Sequence, residues 1–369
     1  MRSFHAQAQQ PPRYDMEQNV RHLRILHKRI KDRLEKKQDN GRFWVRVKSV
    51  VMPLSYIALF VGTQMAYPNG LLFFGGYLAM GLLLVIIFLN VIHEVSHEIV
   101  FTNKWMNQAV LYFFDIMGAN SYIWKNRHTL MHHNFPNVNG WDTDIEQSSI
   151  FKVFPDAPHT KVHNHQHRLM FLLYPLYLFN WLLVRDYKDF FRKDSMIKKA
   201  IKIPRIEYVK LFAFKMFYLF YMFAVPMLFF GVSFLDALLG FVLLTFTASV
   251  FALSVLLPPH ANVGNAFPQV EDNRLNRTWL EHQLATTSDI SNNNWFIAAI
   301  MGNFNYHVVH HLFPDISYVD MKEATDELEI YARENGFNYK KQTFWEALRG
   351  HYQLIRANAY NESIFDETF

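Results

Sequence analysis

Cysteine is the one residue type that this sequence of 369 residues lacks altogether. Its absence excludes disulfide bonds, thiolate-ligated haem, cysteine-held iron–sulfur clusters and zinc fingers. Any metal that the chain binds must therefore be held by nitrogen or oxygen ligands. Nitrogen ligands are abundant, because the sequence contains 18 histidines.

Charge is missing from two long stretches. Residues 49–92 contain no Asp, Glu, Lys, Arg or His, and residues 216–259 contain a single charged side chain, Asp236. A membrane-spanning helix needs about 20 apolar residues, so each stretch is long enough for two spans. A turn signal lies near the middle of each stretch, YPNG at residues 67–70 and GVS at residues 231–233.

The sequence therefore predicts an all-α membrane protein with four transmembrane helices arranged as two hairpins. Pro226 is expected to kink the third span. A shorter apolar stretch at residues 169–184 is interpreted as a helix in the membrane interface. The four predicted spans cover residues 49–66, 71–92, 211–231 and 234–257.

The remaining residues divide the chain into three predicted parts. Residues 1–48 form a basic amphipathic segment without the apolar region of a secretory signal peptide. Its helix at residues 16–37 is expected to lie on the membrane surface. Residues 49–345 form the main domain, and residues 346–369 form a C-terminal helix and tail.

Helix signals are clear near the C-terminus. SxxD at residues 317–320 is expected to open a helix that Gly336 ends. TxxE at residues 343–346 is a capping box that opens the final helix.

Orientation follows from the distribution of basic residues. With four spans, residues 1–48, 93–210 and 258–369 share one side of the membrane with almost all Lys and Arg and every histidine. The positive-inside rule makes that side the cytoplasm. We therefore expect a multi-pass integral membrane protein with cytoplasmic termini, in the cell inner membrane if the source is bacterial. We expect the basic residues behind the net charge of +5 to contact membrane lipids, and we expect no nucleic acid as a partner.

Three histidine clusters lie on the predicted cytoplasmic side, where a helical cap would hold them. The clusters are His93 and His97; His128, His132 and His133; and His307, His310 and His311.

The spacing within these clusters suits metal binding. Helical residues three or four apart share a face, so the first pair converges, as do the first two members of the second cluster. In the third cluster, the first histidine can converge with either of the other two. The additional adjacent histidine in the second and third clusters points about a quarter-turn away on the helix. Eight imidazoles are too many for one ion, so the pattern predicts two.

His260 is a ninth candidate ligand, because it follows the fourth span directly and would enter the same cavity from the membrane side. Imidazole suits zinc, copper, iron and nickel. In a chain without thiolates, a pair of non-haem irons is the interpretation that we favour. The four histidines between residues 159 and 167 are expected to be solvated or to contact lipid headgroups. His351 is interpreted as a surface residue, and His282 is left outside the site.

At these residues the sequence resembles the membrane fatty acid desaturase family, in which three histidine boxes occur in this order with a long gap before the third. The flanks at residues 124–144 are similar to bacterial acyl-CoA or acyl-lipid enzymes. The sequence NYHVVHHLFP at residues 305–314 is similar to the third box and its tail. His260 matches a family histidine that acts as an additional iron ligand. The resemblance spans roughly residues 50–345.

This resemblance implies an enzyme of lipid metabolism that desaturates a fatty acyl chain, carried as acyl-CoA or acyl-lipid. It implies two iron ions (Fe2+/Fe3+) as cofactor, O2 as cosubstrate and the nine histidines as ligands. Asp142 and Asp144 are expected either to orient ligand imidazoles through Nδ1–H bonds or to serve only a turn. Electrons are expected from a separate ferredoxin or cytochrome b5 type protein, since residues 1–48 lack a haem-binding motif.

Two departures from the family pattern are visible. The third box begins with His307, where many front-end enzymes have glutamine. Leu256 occupies the position of a family asparagine that acts as a water-bridged ligand.

Two other functions remain open at this point. A fatty acyl or other lipid hydroxylase uses the same di-iron scaffold, and oxygen transfer to the substrate would replace the second hydrogen removal. A histidine-lined metal transporter is less favoured. Its ligands belong inside the spans, and the predicted spans contain no histidine.

Overall fold

The computed structural model describes an almost entirely helical chain. The residues that it describes are 10–15, 19–37, 41–146, 150–291 and 299–360. Within these ranges the strands are short and parallel: Arg13–Tyr14 pairs with Arg274–Leu275, and Asp289–Ile290 pairs with Lys341–Gln342.

The α-helices run over Asn19–Leu34, Gly41–Met65, Gly70–Ile87, His93–Ser96, Lys104–Ile116, Ser121–Asn126, Gln166–Leu173, Tyr177–Asn180, Asp186–Phe191, Met196–Ala200, Arg205–Leu219, Val225–Phe230, Phe234–Leu256, Trp279–Thr286, His307–Leu312, Met321–Asn335 and Phe344–Tyr360. π-Helical turns occupy Phe88–Ile92, Arg127–His132, Trp181–Arg185 and Phe220–Ala224. Short 3-10 turns occupy His163–His165, Tyr174–Leu176 and Tyr318–Asp320.

The chain divides into two compact units. The first, called the histidine unit, comprises Met1–Gly41, Asn126–Phe171 and Ser254–Phe369. The second, called the apolar-helix unit, comprises Arg42–Lys125 and Leu172–Leu253. The three-part division drawn from the sequence, 1–48, 49–345 and 346–369, remains a prediction.

Among the described residues, five helices are long and apolar enough to cross a membrane, which supports an integral membrane protein. Four of them cover the spans predicted from the sequence to within one residue. The fifth runs through residues 169–184, which the sequence assigned to the interface. Pro175 does not end it, because proline sits at the start of a 3-10 turn, where its missing N–H costs little. The five helices are Gly41–Met65, Gly70–Ser96, His163–Ala200, Arg205–Phe230 and Phe234–Leu256.

Glycines allow close packing inside the apolar-helix unit. A Cβ atom on Gly81 would lie 2.5 Å from the Leu244 carbonyl oxygen, and one on Gly240 would lie 2.6 Å from the Tyr77 ring. Small residues of this kind let apolar helices approach closely where lipid offers no hydrophobic driving force. Gly231 has a different role, because its φ of +67° ends the helix Val225–Phe230 in the left-handed conformation.

The N-terminal helix (Asn19–Leu34) packs on the acidic helix (Met321–Asn335) within the histidine unit. Its apolar face is buried at Leu26 and Ile30. Arg29 pairs with Glu327 at 2.5 Å. The expectation that this face lies on a membrane is therefore wrong for these residues, because a protein helix covers it.

Candidate metal centre

The second histidine box lies on the π-helical turn Arg127–His132. In such a turn the backbone bonds link residues five apart, and the His133 N–H donates to the His128 carbonyl at 2.9 Å. The added residue per turn brings His128 and His133 to one face, where their Nε2 atoms are 3.0 Å apart. The sequence prediction paired His128 with His132, as α-helical spacing requires. The π-turn is the physical reason for the difference.

The third box lies on the ligand helix (His307–Leu312), every residue of which is buried. His310 turns toward the second box, and its Nε2 is 3.1 Å from that of His133. His128, His133 and His310 thus offer ligand atoms within 4.8 Å of one another. We call these three residues the first imidazole group.

The second imidazole group joins three parts of the histidine unit. Its members are buried and offer ligand atoms within 4.8 Å of one another. The Nε2 atoms of His260 and His307 are 2.7 Å apart. His260 therefore lies in the cluster, as its position after the fourth span suggested. The group consists of His132, His260, His307 and His311.

The second group has the donor set that a transition-metal ion requires. Two imidazole nitrogens at hydrogen-bond distance can share one proton, but that leaves His311 unsatisfied. Both ring nitrogens of His311 are buried and have no hydrogen-bond partner among the described residues. Buried polar atoms without partners are costly, and a cation coordinated by the group removes that cost. All-imidazole donors suit iron, zinc, copper or nickel.

Two carboxylates set the tautomers of the second box. His132 Nδ1 lies 2.9 Å from Asp142 Oδ1, and His128 Nδ1 lies 3.0 Å from Asp144 Oδ2. Because an ionised carboxylate only accepts hydrogen bonds, Nδ1 carries the proton in each imidazole. The Nε2 lone pairs are then available for a metal, as in other carboxylate–histidine–metal arrangements. These are the contacts that an orienting role for Asp142 and Asp144 requires, and that role stays a prediction.

Burial favours the neutral form of three imidazoles in the two groups. It lowers the pKa of His260 and His311 well below the ordinary histidine value, and neighbouring histidines lower both further. Burial lowers the pKa of His128 despite the opposing effect of Asp144. Burial also acts to lower the pKa of His132, but Asp142 outweighs it and the net shift is upward. Neutral imidazole is the form that binds metals.

The backbone around His260 is held by residues that the sequence reading missed. The Asn137 amide donates to the His260 carbonyl at 3.0 Å. His351 Nδ1 donates to the Ala261 carbonyl at 2.7 Å. His351 is buried, which lowers its pKa to about 4, so its interpretation as a surface residue was wrong. Neither contact has a local sequence signal, because its partners are 90 or more residues apart.

The first histidine box belongs to the apolar-helix unit. His93 and His97 follow the π-helical turn Phe88–Ile92, and their ring centroids are 5.3 Å apart. They converge on one side of the chain, as their spacing predicts. Their participation in a metal site stays a prediction and enters the proposal below.

The other histidines fall outside both imidazole groups. His159 and His165 are exposed, as expected of a solvated loop, whereas His163 and His167 are buried. His282 is also buried and its Nε2 contacts the Pro136 carbonyl at 3.0 Å. Burial lowers the pKa of His282 to about 3. Its place outside the groups agrees with the sequence interpretation.

Comparison with known proteins identifies the family. The fatty acid desaturase family model matches residues 68–343, well over half of the chain. The sn-1 linoleoyl-lipid 6-desaturase of Arthrospira platensis is 27% identical over 273 residues, which cover 74% of each chain. The enzyme of the same name from Synechocystis is 25% identical over 324 residues, which cover 87% of this chain and 89% of the relative.

A plant relative extends the comparison. The acyl-lipid (8-3)-desaturase of Physcomitrium patens is 29% identical over 258 residues, covering 68% of this chain and 53% of the relative. The helices able to span a membrane, the buried imidazole groups and these matches agree with one another. The chain therefore belongs to the fatty acid desaturase family.

Proposed function

We propose that this protein is an O2-dependent acyl-lipid desaturase, which forms a double bond in the acyl chain of a membrane lipid. The observation that carries the proposal is the pair of buried imidazole groups in the histidine unit. The relatives named as acyl-lipid desaturases favour an acyl-lipid over an acyl-CoA substrate. They also favour desaturation over hydroxylation.

The proposed metal centre contains two iron ions. The first imidazole group supplies three ligands to one iron, and the first histidine box stays among the predicted ligands on the strength of its sequence alone. The second imidazole group supplies all four ligands of the other iron. The nine histidines of the sequence prediction are the proposed ligands: His93, His97, His128, His132, His133, His260, His307, His310 and His311.

The two irons, when bound, supply the reductive O2 activation that an unactivated C–H bond requires. In the overall reaction, one –CH2–CH2– unit, one O2, two electrons and two protons give –CH=CH– and two waters. Asp142 and Asp144 keep the Nε2 lone pairs of His132 and His128 directed at the metals. The burial of the ligand helix keeps bulk water away from the reacting carbons.

The proposed topology keeps the four hairpin helices as spans and places residues 169–184 in the interface. The termini and the histidine unit then face the cytoplasm. For a bacterial source the membrane is the cell inner membrane. The two electrons come from a separate ferredoxin or cytochrome b5 type protein.

The test is expression of the chain in a bacterial host with a ferredoxin and its reductase. Fatty acid methyl esters are then analysed by gas chromatography–mass spectrometry. We expect a new unsaturated species with the wild type, its loss with His310→Ala, and its retention with His165→Ala, an exposed histidine. A hydroxy acid in its place would overturn the proposal in favour of the hydroxylase. A product that survives His310→Ala would refute the assigned metal site.

A further inference from the structure

The N-terminal helix carries a row of exposed basic side chains. Their spacing of three, four and three residues places them on one helix face. Like charges at this spacing repel one another, so the row weakens the helix that carries it. We call it the basic row: Arg21, Arg24, Lys28 and Lys31.

The opposite face of the same helix fixes the direction of the basic row. Leu26 and Ile30 are buried against the histidine unit. Arg33 pairs with Asp326 of the acidic helix at 3.2 Å. The basic row therefore points away from the histidine unit, and protein covers the centre of the apolar face at Leu26 and Ile30, while Val20 and Ile25 stay exposed.

Ion pairing within the helix does not neutralise the basic row. Lys31 lies 3.8 Å from Glu35, and both side chains are about two-thirds exposed, at 67% and 65%. Exposed pairs of this kind contribute little. A concentrated positive face that adds nothing to stability is typical of a surface that attracts an acidic partner.

The N-terminal helix also contacts the end of the ligand helix. The His27 ring centroid lies 5.5 Å from that of Phe313. Phe313 caps the ligand helix, two residues after His311. A protein seated on the basic row would therefore lie beside the helix that carries three of the proposed iron ligands.

We propose that the basic row is the docking surface for the electron donor, a small one-electron carrier protein with an acidic face. The inference rests on the proposed function, because desaturation consumes two electrons per turnover. A protein partner is favoured over an anionic membrane because the burial of Leu26 and Ile30 leaves the helix little apolar surface with which to anchor in lipid. The charge of the row and its position beside the ligand helix both suit this partner.

The experiment uses the full chain in nanodiscs of neutral phosphatidylcholine. The electron carriers are an acidic ferredoxin with its NADPH-dependent reductase and, separately, cytochrome b5 with its reductase. The variant Arg24→Glu/Lys28→Glu is compared with Arg349→Glu/Arg356→Glu. The control makes the same charge change at two exposed positions of the C-terminal helix (Phe344–Tyr360).

We expect the KM for the carrier to rise at least about tenfold in the Arg24→Glu/Lys28→Glu variant, because steering accelerates association by such factors. The kcat at saturating carrier should be unchanged, and the dependence of kcat/KM on salt should become weaker. The control variant should match the wild type. Single-turnover desaturation after reduction by dithionite should be equal in all three proteins.

Several outcomes would overturn the docking assignment. An unchanged carrier KM would do so, as would a change that appears only in nanodiscs with anionic phosphatidylglycerol, which would assign the row to lipid. The docking assignment would also be overturned if neither acidic carrier supported desaturation by the wild type while reduction by dithionite did. Absence of product even after dithionite reduction would instead refute the proposed function, so the two failures are distinguishable.

Discussion

Asp142 shows how a single carboxylate determines the chemistry of a neighbouring imidazole. It is fully buried, and it accepts hydrogen bonds from the Asn137 and Asp144 backbone N–H groups as well as from His132. These bonds hold the carboxylate in one orientation. The orientation of His132, and of the lone pair it would offer to a metal, follows from that.

We predict that Asp142→Asn lowers iron affinity about 10- to 100-fold, the usual effect of losing such a partner. The amide can donate to Nδ1 and so favour the tautomer whose Nε2 carries the proton. The iron retained during competition with a chelator measures the effect. Asp156→Asn, at an exposed aspartate of the same unit, is the control. Equal retention in the two variants would show that Asp142 does not orient a ligand.

Asp115 controls a pH dependence away from the metal centre. Burial raises its pKa to about 7, although the Ser121 N–H donates to its Oδ1 at 3.1 Å and opposes the shift. The pKa is higher in the folded than in the unfolded chain. This group therefore stabilises the protein at acid pH, and its contribution is lost as the pH rises from about 4 to about 7.

The variant Asp115→Asn keeps an acceptor for Ser121 and removes the ionisation. We expect it to be more stable than the wild type at pH 8, by roughly 4 kcal/mol at most. The two proteins should converge at pH 4. Thermal unfolding in detergent across this range measures the difference, with Asp194→Asn at an exposed site as control. A wild-type slope retained in Asp115→Asn would contradict the assignment.

At the scale of residues, the spacing of the histidines predicted more of the candidate metal centre than any other feature of the sequence. All seven ligand candidates of the histidine unit lie in the two imidazole groups. Asn137 and His351 could not be predicted, because each acts through a backbone carbonyl that is remote in sequence. The hydrogen bond between residues 351 and 261 depends on the fold, and no periodic pattern in the sequence indicates it.

At the scale of elements, absence of charge predicted the two helical hairpins. Gly336, with φ of +71°, ends the acidic helix as expected. Thr343 and Glu346 form the predicted capping box. The π-helical turn at Arg127–His132 could not be predicted. Its hydrogen bonds link residues five apart where an α-helix links residues four apart, and the apolar pattern of the sequence does not distinguish the two. The sequence predicted a helix at residues 169–184 but not its full length, because Pro175 and Asn180 interrupt the apolar stretch.

Helix packing in the apolar-helix unit yields a further prediction. We expect Gly81→Val to destabilise the protein by about 1–3 kcal/mol, because its side chain meets the Leu244 backbone, which cannot move aside. Gly75→Val is the matched control on the same helix, since a Cβ there meets nothing within 4 Å. Thermal unfolding in detergent compares the two. Similar midpoints would mean that the helices separate easily at Gly81.

At the scale of the whole molecule, the two units are interleaved along the chain. The histidine unit combines residues 1–41, 126–171 and 254–369. Ligand candidates that are more than 100 residues apart in sequence therefore meet within one unit. A metal that binds them links these segments, and binding free energy then contributes to folding free energy. Sequence patterns predicted the ligand candidates without revealing this interleaving.

Metal stoichiometry is the measurement that tests the central claim most directly. We predict about two iron ions per chain in the purified protein, with antiferromagnetic coupling visible in the Mössbauer spectrum of 57Fe-enriched samples. His311→Ala should lower the iron content and abolish desaturation, whereas His165→Ala should change neither. A folded chain that desaturates lipid with one iron or with none would contradict the account.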